Sequence, residues 1–165
     1  MTRQAMFILD LDGVLSPLAS DSPIGMAVAV VGRYRLPYQP AVVNGLNALN
    51  RDEHVHLRWL TSWGEDARSL VAPAMGLHDF PLLDLVRPRT EAGIWPKHDA
   101  IIRRVSVGTR FAWVDDDLTP ARQRDVRRTH GDEHCLLMRP DPAVGITVDD
   151  LHVIADFLKA STPGA

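Results

Sequence analysis

Phe7-Ile8-Leu9-Asp10-Leu11-Asp12-Gly13-Val14-Leu15 is the stretch on which the reading of the whole chain turns. Ala5 to Leu9 is an uncharged apolar run, the pattern of a strand buried on both faces. It ends in two carboxylates two residues apart, which leave a strand on the same side. Like charges that close repel, burial worsens the repulsion, and a bound dication is the usual compensation. Gly13 then permits a tight turn that a side chain would obstruct. A bare Asp-x-Asp fits an ordinary turn with loop acids equally well; the apolar run before it and Gly-Val-Leu after it make the full string far more specific.

Working outward, four further apolar runs repeat the pattern: Val55 to Leu60, a weaker Leu82 to Val86, Phe111 to Val114 and Cys135 to Met138. Helical periodicities lie between them at Ala41 to Asn50, Glu65 to Met75, Lys97 to Val105 and Thr119 to Arg128, with a last one over Asp149 to Lys159 capped by Thr147 and Asp150. Alternating strands and helices predict an α/β fold, a Rossmann-like three-layer sandwich around a parallel sheet of about five strands. Ligands of such sheets bind beyond the carboxyl ends of the strands. Ser16 to Pro40 breaks the alternation. Met26 to Val31 and Arg33 to Leu36 flank Gly32 and predict a β-hairpin flap leaving the sheet directly after the first strand.

The other strand ends also carry chemistry. Thr61 and Ser62 follow the second strand, where a hydroxyl and free N–H groups at a strand-to-helix junction form a phosphate cradle; a plain helix cap is the alternative. Lys97 follows Pro96 in the first turn of a helix, where the dipole disfavours a cation, unless it is simply a solvated lysine. Asp115, Asp116 and Asp117 follow a buried strand; hard oxygen donors without His or Cys nearby favour Mg²⁺ over zinc, and an acidic loop is the competing explanation. Independent bland explanations for four signals arriving in this order are improbable together. Arg33 and Arg35 on the flap are candidates to grip a polyanionic substrate, with solvated arginines as the alternative.

Together the Asp10-Leu11-Asp12-Gly13-Val14-Leu15 signature, Thr61, Lys97 and the Asp115-Asp116 pair resemble the four motifs of the haloacid dehalogenase-like (HAD) superfamily. Leu60-Thr61-Ser62-Trp63 with Trp113-Val114-Asp115-Asp116 also resembles the phosphatase domains of RNA-repair proteins. The resemblance implies a phosphomonoester hydrolase working through an aspartyl-phosphate. Asp10 is then the nucleophile and Asp12 the acid and base. Mg²⁺ is held by the Asp10 carboxylate, the Asp12 backbone carbonyl and Asp115, with Asp116 close by, and Thr61, Ser62 and Lys97 hold the phosphoryl oxygens. An Asp at position 12 favours ester hydrolysis over dehalogenation. Neither Ser16 to Pro40 nor Asp79 to Pro96 is long enough for a cap domain, so the site is expected to be open. That suits bulky or macromolecular phosphorylated substrates (a nucleic-acid end, a phosphoprotein) as well as small ones, or closure by a partner copy in a homo-oligomer.

The chain has 165 residues, 45% hydrophobic and 24% charged, with net charge −3. These fit a single catalytic domain over residues 1–160 with a short tail at 161–165, and give no global pull toward nucleic acid or membranes. The lone cysteine, Cys135, fits a reducing cytoplasm. The N-terminal apolar stretch is too short for a signal peptide. Two rival readings remain: a HAD-like binding or regulatory domain without turnover, and a receiver-type domain. The second is disfavoured because the middle strand ends in Thr61 rather than an Asp.

Overall fold

The computed structural model describes residues 4–19, 25–85 and 95–160; the expected tail at 161–165 lies outside them. In chain order, β1 (Ala5–Leu9) is followed by a hairpin of β2 (Ala27–Val31) and β3 (Tyr34–Tyr38). Then come α1 (Pro40–Asn50), β4 (Val55–Trp59), a turn of π-helix at Ala67–Val71 and α2 (Ala72–Met75). The chain continues through α3 (Pro96–Arg104), β5 (Phe111–Val114), α4 (Pro120–His130), β6 (Cys135–Met138) and α5 (Val148–Lys159). β4, β1, β5 and β6 lie side by side in that order as one parallel sheet. Among the described residues no helix is long and apolar enough to cross a membrane.

Alternation along the strands builds the three layers. Phe7 and Leu9 of β1 and Ala112 and Val114 of β5 face a core shared with Val42, Leu46, Leu151 and Ile154 of α1 and α5. Ile8, Phe111 and Trp113 point the other way, onto Ala100 and Ile101 of α3 and Val126 of α4. At roughly 1.5–3 kcal/mol per buried large apolar side chain, these two cores are the main drive to fold. At the head of α5, the Thr147 hydroxyl accepts from the Asp150 N–H (3.2 Å) and the Asp150 carboxylate accepts from the Thr147 N–H (2.8 Å), the anticipated cap.

Three expectations are revised. Among the described residues the sheet has four strands rather than about five. Leu82 pairs with Trp59 alone, as the chain crosses the end of β4: the Trp59 N–H donates to the Pro81 carbonyl (3.0 Å) and the Leu83 N–H to Trp59 (2.7 Å). Pro81 has no N–H with which to extend the ladder, and Val86 is outside the described residues. The helix expected from Glu65 to Met75 is a π turn running into α2. Pro73 cannot return a hydrogen bond to the preceding turn, so the helical register shifts there. Arg58, unexplained on a strand expected to be fully buried, sits on an edge strand. Val55, Leu57 and Trp59 face the core, while His56 and Arg58 alternate onto a half-covered face.

The hairpin forms as expected. Gly32, at φ 57, starts the two-residue turn that joins Val31 to Tyr34, where a positive φ is required. Ala29, Val31 and Leu36 tuck into the first core, which fastens the flap to the body.

Candidate active site

The ladder runs one residue beyond the strands. The Asp10 N–H donates to Val114 (3.2 Å), the Leu60 N–H to Leu9 (2.9 Å) and the Asp115 N–H to Met138 (3.2 Å). The residues leaving β1, β4 and β5 are thereby held at one edge of the sheet, and Asp10, Thr61 and Asp115 are all buried there.

Lys97 enters from α3. Its ammonium donates to Asp10 Oδ2 and, at 2.8 Å, to Asp115 Oδ2. Its side chain is only 13% exposed, so it is not a solvated surface lysine. Two carboxylates outweigh the unfavourable helix dipole. Burial alone would lower the Lys97 pKa, but Asp10 and Asp115 together raise it, so the lysine stays charged. Burial pushes the Asp10 carboxyl up against the opposing pull of Lys97, the Leu11 N–H and the Thr61 hydroxyl. Burial also pushes Asp115 up to about 6, against Lys97 and with help from the neighbouring Asp10 charge. One lysine therefore does not neutralise this cluster.

Asp10, Asp115 and Asp116 each place a carboxylate oxygen within 4.8 Å of the others. An all-oxygen donor set with surplus negative charge and no thiol or imidazole fits Mg²⁺. Asp117 is exposed; it serves through its N–H, which donates to Asp115 Oδ1 (2.9 Å) and fixes that carboxylate. The Asp12 side chain lies outside the three-carboxylate group and accepts instead from Trp63 Nε1 (2.9 Å).

Gly13 has a second role beyond its turn. At φ 70, a Cβ there would come within 2.5 Å of Asp116 Oδ2 and 3.1 Å of Pro142 Cβ. Gly13→Ala is expected to cost about 1–3 kcal/mol through the forced backbone conformation and to displace Asp116. Thermal melts should show a lower midpoint and calorimetric titration a weaker Mg²⁺ affinity. An unchanged affinity would remove Asp116 from the metal set.

Ser62 is exposed in the turn after Thr61, and Thr61 Oγ1 accepts from the Trp63 N–H (3.3 Å). A cavity of about 380 Å³ opens beside them, closed on its far side by Leu82, Leu83, Asp84 and Leu85. On the flap, Tyr34 faces the body and packs edge-on against Trp63, ring centroids 5.0 Å apart. Arg33 lies over the Tyr34 ring at 5.2 Å and donates to its hydroxyl (3.1 Å). Arg35, one residue along the strand, points to the opposite face and is exposed. Trp63 stands in the Leu60-Thr61-Ser62-Trp63 stretch, but the sequence alone assigns no role in the site to it or to Tyr34. The available signal was a tryptophan directly after the two hydroxyl residues, at a strand-to-helix junction; its ring also packs against the first core.

No protein-family model matches the sequence, and no curated protein matches it. The structure is similar to that of the HAD domain of effector protein Lem4 from Legionella pneumophila, with a TM-score of 0.56 over 97% of this chain and 100% of that one, at 11% sequence identity. At that identity the likeness speaks for the fold: the chain has the HAD-like, Rossmann-type α/β architecture, with an acidic cluster suited to a divalent cation at the carboxyl edge of its sheet.

Proposed function

We propose that the chain is a Mg²⁺-dependent phosphatase that hydrolyses phosphomonoesters through an aspartyl-phosphate on Asp10. The observation that carries this reading is the Lys97 ammonium shared between the buried Asp10 and Asp115 carboxylates, with Asp116 beside them. Phosphoryl transfer asks for in-line placement and charge neutralisation more than for unusual groups. The Asp10, Asp115 and Asp116 carboxylates and the Asp12 backbone carbonyl would hold Mg²⁺, which would supply positive charge to the phosphoryl oxygens. Asp10 attacks phosphorus while Asp12 gives its proton to the departing oxygen. Asp12 then takes a proton from water, which attacks the phosphoryl group and frees Asp10. Lys97, Thr61 and Ser62 hold the phosphoryl oxygens throughout. Exposed Arg33, beside Tyr34 on the flap, favours a large polyanionic substrate such as a nucleic-acid end, whereas Arg35 points away from the body. A reducing cytoplasm suits Cys135, whose thiol burial pushes up to about 11 and keeps inert.

Phosphate release from a panel of phosphorylated substrates should require Mg²⁺ and stop with EDTA; no release from any member would reject the reading. Metal binding should also be visible without turnover. The folded-state pKa of Asp115 is raised to about 6 from 3.8, so its contribution to stability is fully present below the unfolded value and lost as pH rises through about 6. That loss is on the order of 3 kcal/mol, and a cation offsets it. The melting-temperature gain from Mg²⁺ over EDTA should therefore be larger at pH 7.5 than at pH 5. Equal gains at the two pH values would mean that Asp115 does not meet the metal.

A further inference from the structure

We propose that Trp63 is the positioning residue for Asp12, and that the flap holds it in place through Tyr34. This inference rests on the phosphatase reading and goes beyond it, because it ties the hairpin to the proton-transfer step.

The tryptophans differ in what they do. Trp59 and Trp113 are fully buried, and among the described residues their indole N–H groups have no partner; they are present for their rings. Trp63 is half-buried at the turn after β4, and its indole N–H donates to a carboxylate oxygen, Asp12 Oδ2. Its backbone N–H is already committed to Thr61 Oγ1. The edge of Tyr34, 46% exposed at the head of β3, meets the Trp63 ring at an interplanar angle of 68°. A large aromatic left in solvent gains little from burial there, but it can fix the plane of the indole.

Indole is a donor only. With Oδ2 occupied by a group that can neither accept nor carry away a proton, Oδ1 is left to face the leaving oxygen. In the first half-reaction the Asp10–phosphorus bond forms, the bond from phosphorus to the leaving oxygen breaks, and the Asp12 proton passes to that oxygen. In the second half-reaction Asp12 takes a proton from water as the bond from the water oxygen to phosphorus forms and the Asp10–phosphorus bond breaks, releasing phosphate. The Trp63 contact is compatible with both states, since Oδ2 accepts from the indole whether or not Oδ1 carries a proton. A hydroxyl or imidazole in its place would compete for the proton.

Trp63→Phe keeps an aromatic ring beside Tyr34 and removes the indole N–H. The experiment compares kcat/KM for p-nitrophenyl phosphate, whose leaving group departs without help, with kcat/KM for a simple alkyl phosphate, which needs a proton. The expected result is a loss on the alkyl ester at least about tenfold greater than on the aryl ester, a part of the 10²–10⁴-fold that positioned proton transfer supplies. Tyr34→Ala, which leaves the indole N–H intact, should shift the ratio in the same direction by less. Wild-type Mg²⁺-dependent hydrolysis of the aryl ester reports on the phosphatase reading separately, so the failure of one is not the failure of the other. Equal losses on both esters in Trp63→Phe would make Trp63 a wall of the phosphoryl pocket and overturn the proposal. An unchanged ratio in both variants would overturn it as well.

Discussion

Purified Asp10→Asn should lose roughly 10⁴-fold or more of its Mg²⁺-dependent phosphate release, the scale on which removal of a nucleophile acts. Asn keeps the shape of the side chain and can still accept from the Leu11 N–H at Oδ1, where Asp10 does so at 2.7 Å. The attacking charge is what disappears. Folding should survive, because burial pushes the Asp10 carboxyl upward and so opposes its ionised form; a neutral amide avoids that cost, while Lys97 keeps Asp115 as a partner. Acid-quenched wild-type protein should carry one phosphoryl group that the variant lacks. Substantial Mg²⁺-dependent turnover by Asp10→Asn would end the covalent proposal.

Lys97→Met should have the second largest effect, on stability as well as rate. Removing one member of a buried charge group strands the others, at a cost of about 3–5 kcal/mol. For a chain of 165 residues this corresponds to a fall in melting temperature on the order of 10 °C in EDTA. Proton uptake by one of the two carboxylates sets a ceiling on the cost, so the fall should be smaller at pH 5 than at pH 7.5. Mg²⁺ should restore a large part of the lost stability, because it supplies positive charge to the same carboxylates, yet it should not restore the rate, since the phosphoryl oxygens have lost their lysine. A melting temperature in EDTA equal to that of the wild type would show that Lys97 contributes nothing to neutralising the cluster.

Much of this arrangement was legible in the chain because it is local. An apolar run ending in Asp-x-Asp states both a buried strand and what emerges from it, and the four strands of the sheet, the hairpin and the Thr147 cap all lie where pattern and turn chemistry put them. What was hidden depends on pairing at a distance. That Leu82 fails to make a strand is decided by its meeting only the last residue of β4. That Arg58 is tolerable is decided by β4 being an edge. The Trp63–Asp12 hydrogen bond spans 51 positions, and the approach of Gly13 to Asp116 joins two turns that follow different strands; no periodicity encodes either. Lys97 was visible as a residue against the local dipole, but its two carboxylate partners come together only when β1 and β5 pair.

That pairing bears on how the chain reaches its native state. β1 precedes the other strands of this sheet in the chain, yet it lies between β4 and β5, and Met6 is matched with Phe111. At roughly 5–20 residues per second, a ribosome needs several seconds to add about 100 residues. Until then β1 has one open flank and one face without its covering helices, and its Ala-Met-Phe-Ile-Leu sequence is sticky. Pairings across such long stretches of chain slow folding, so this interval is where the nascent protein is most open to misassembly and to capture by chaperones. The same strand order makes the acidic cluster an all-or-nothing product of folding: Asp10 and Asp115 have no common edge until β5 docks, and no shorter nascent fragment brings the two carboxylates together.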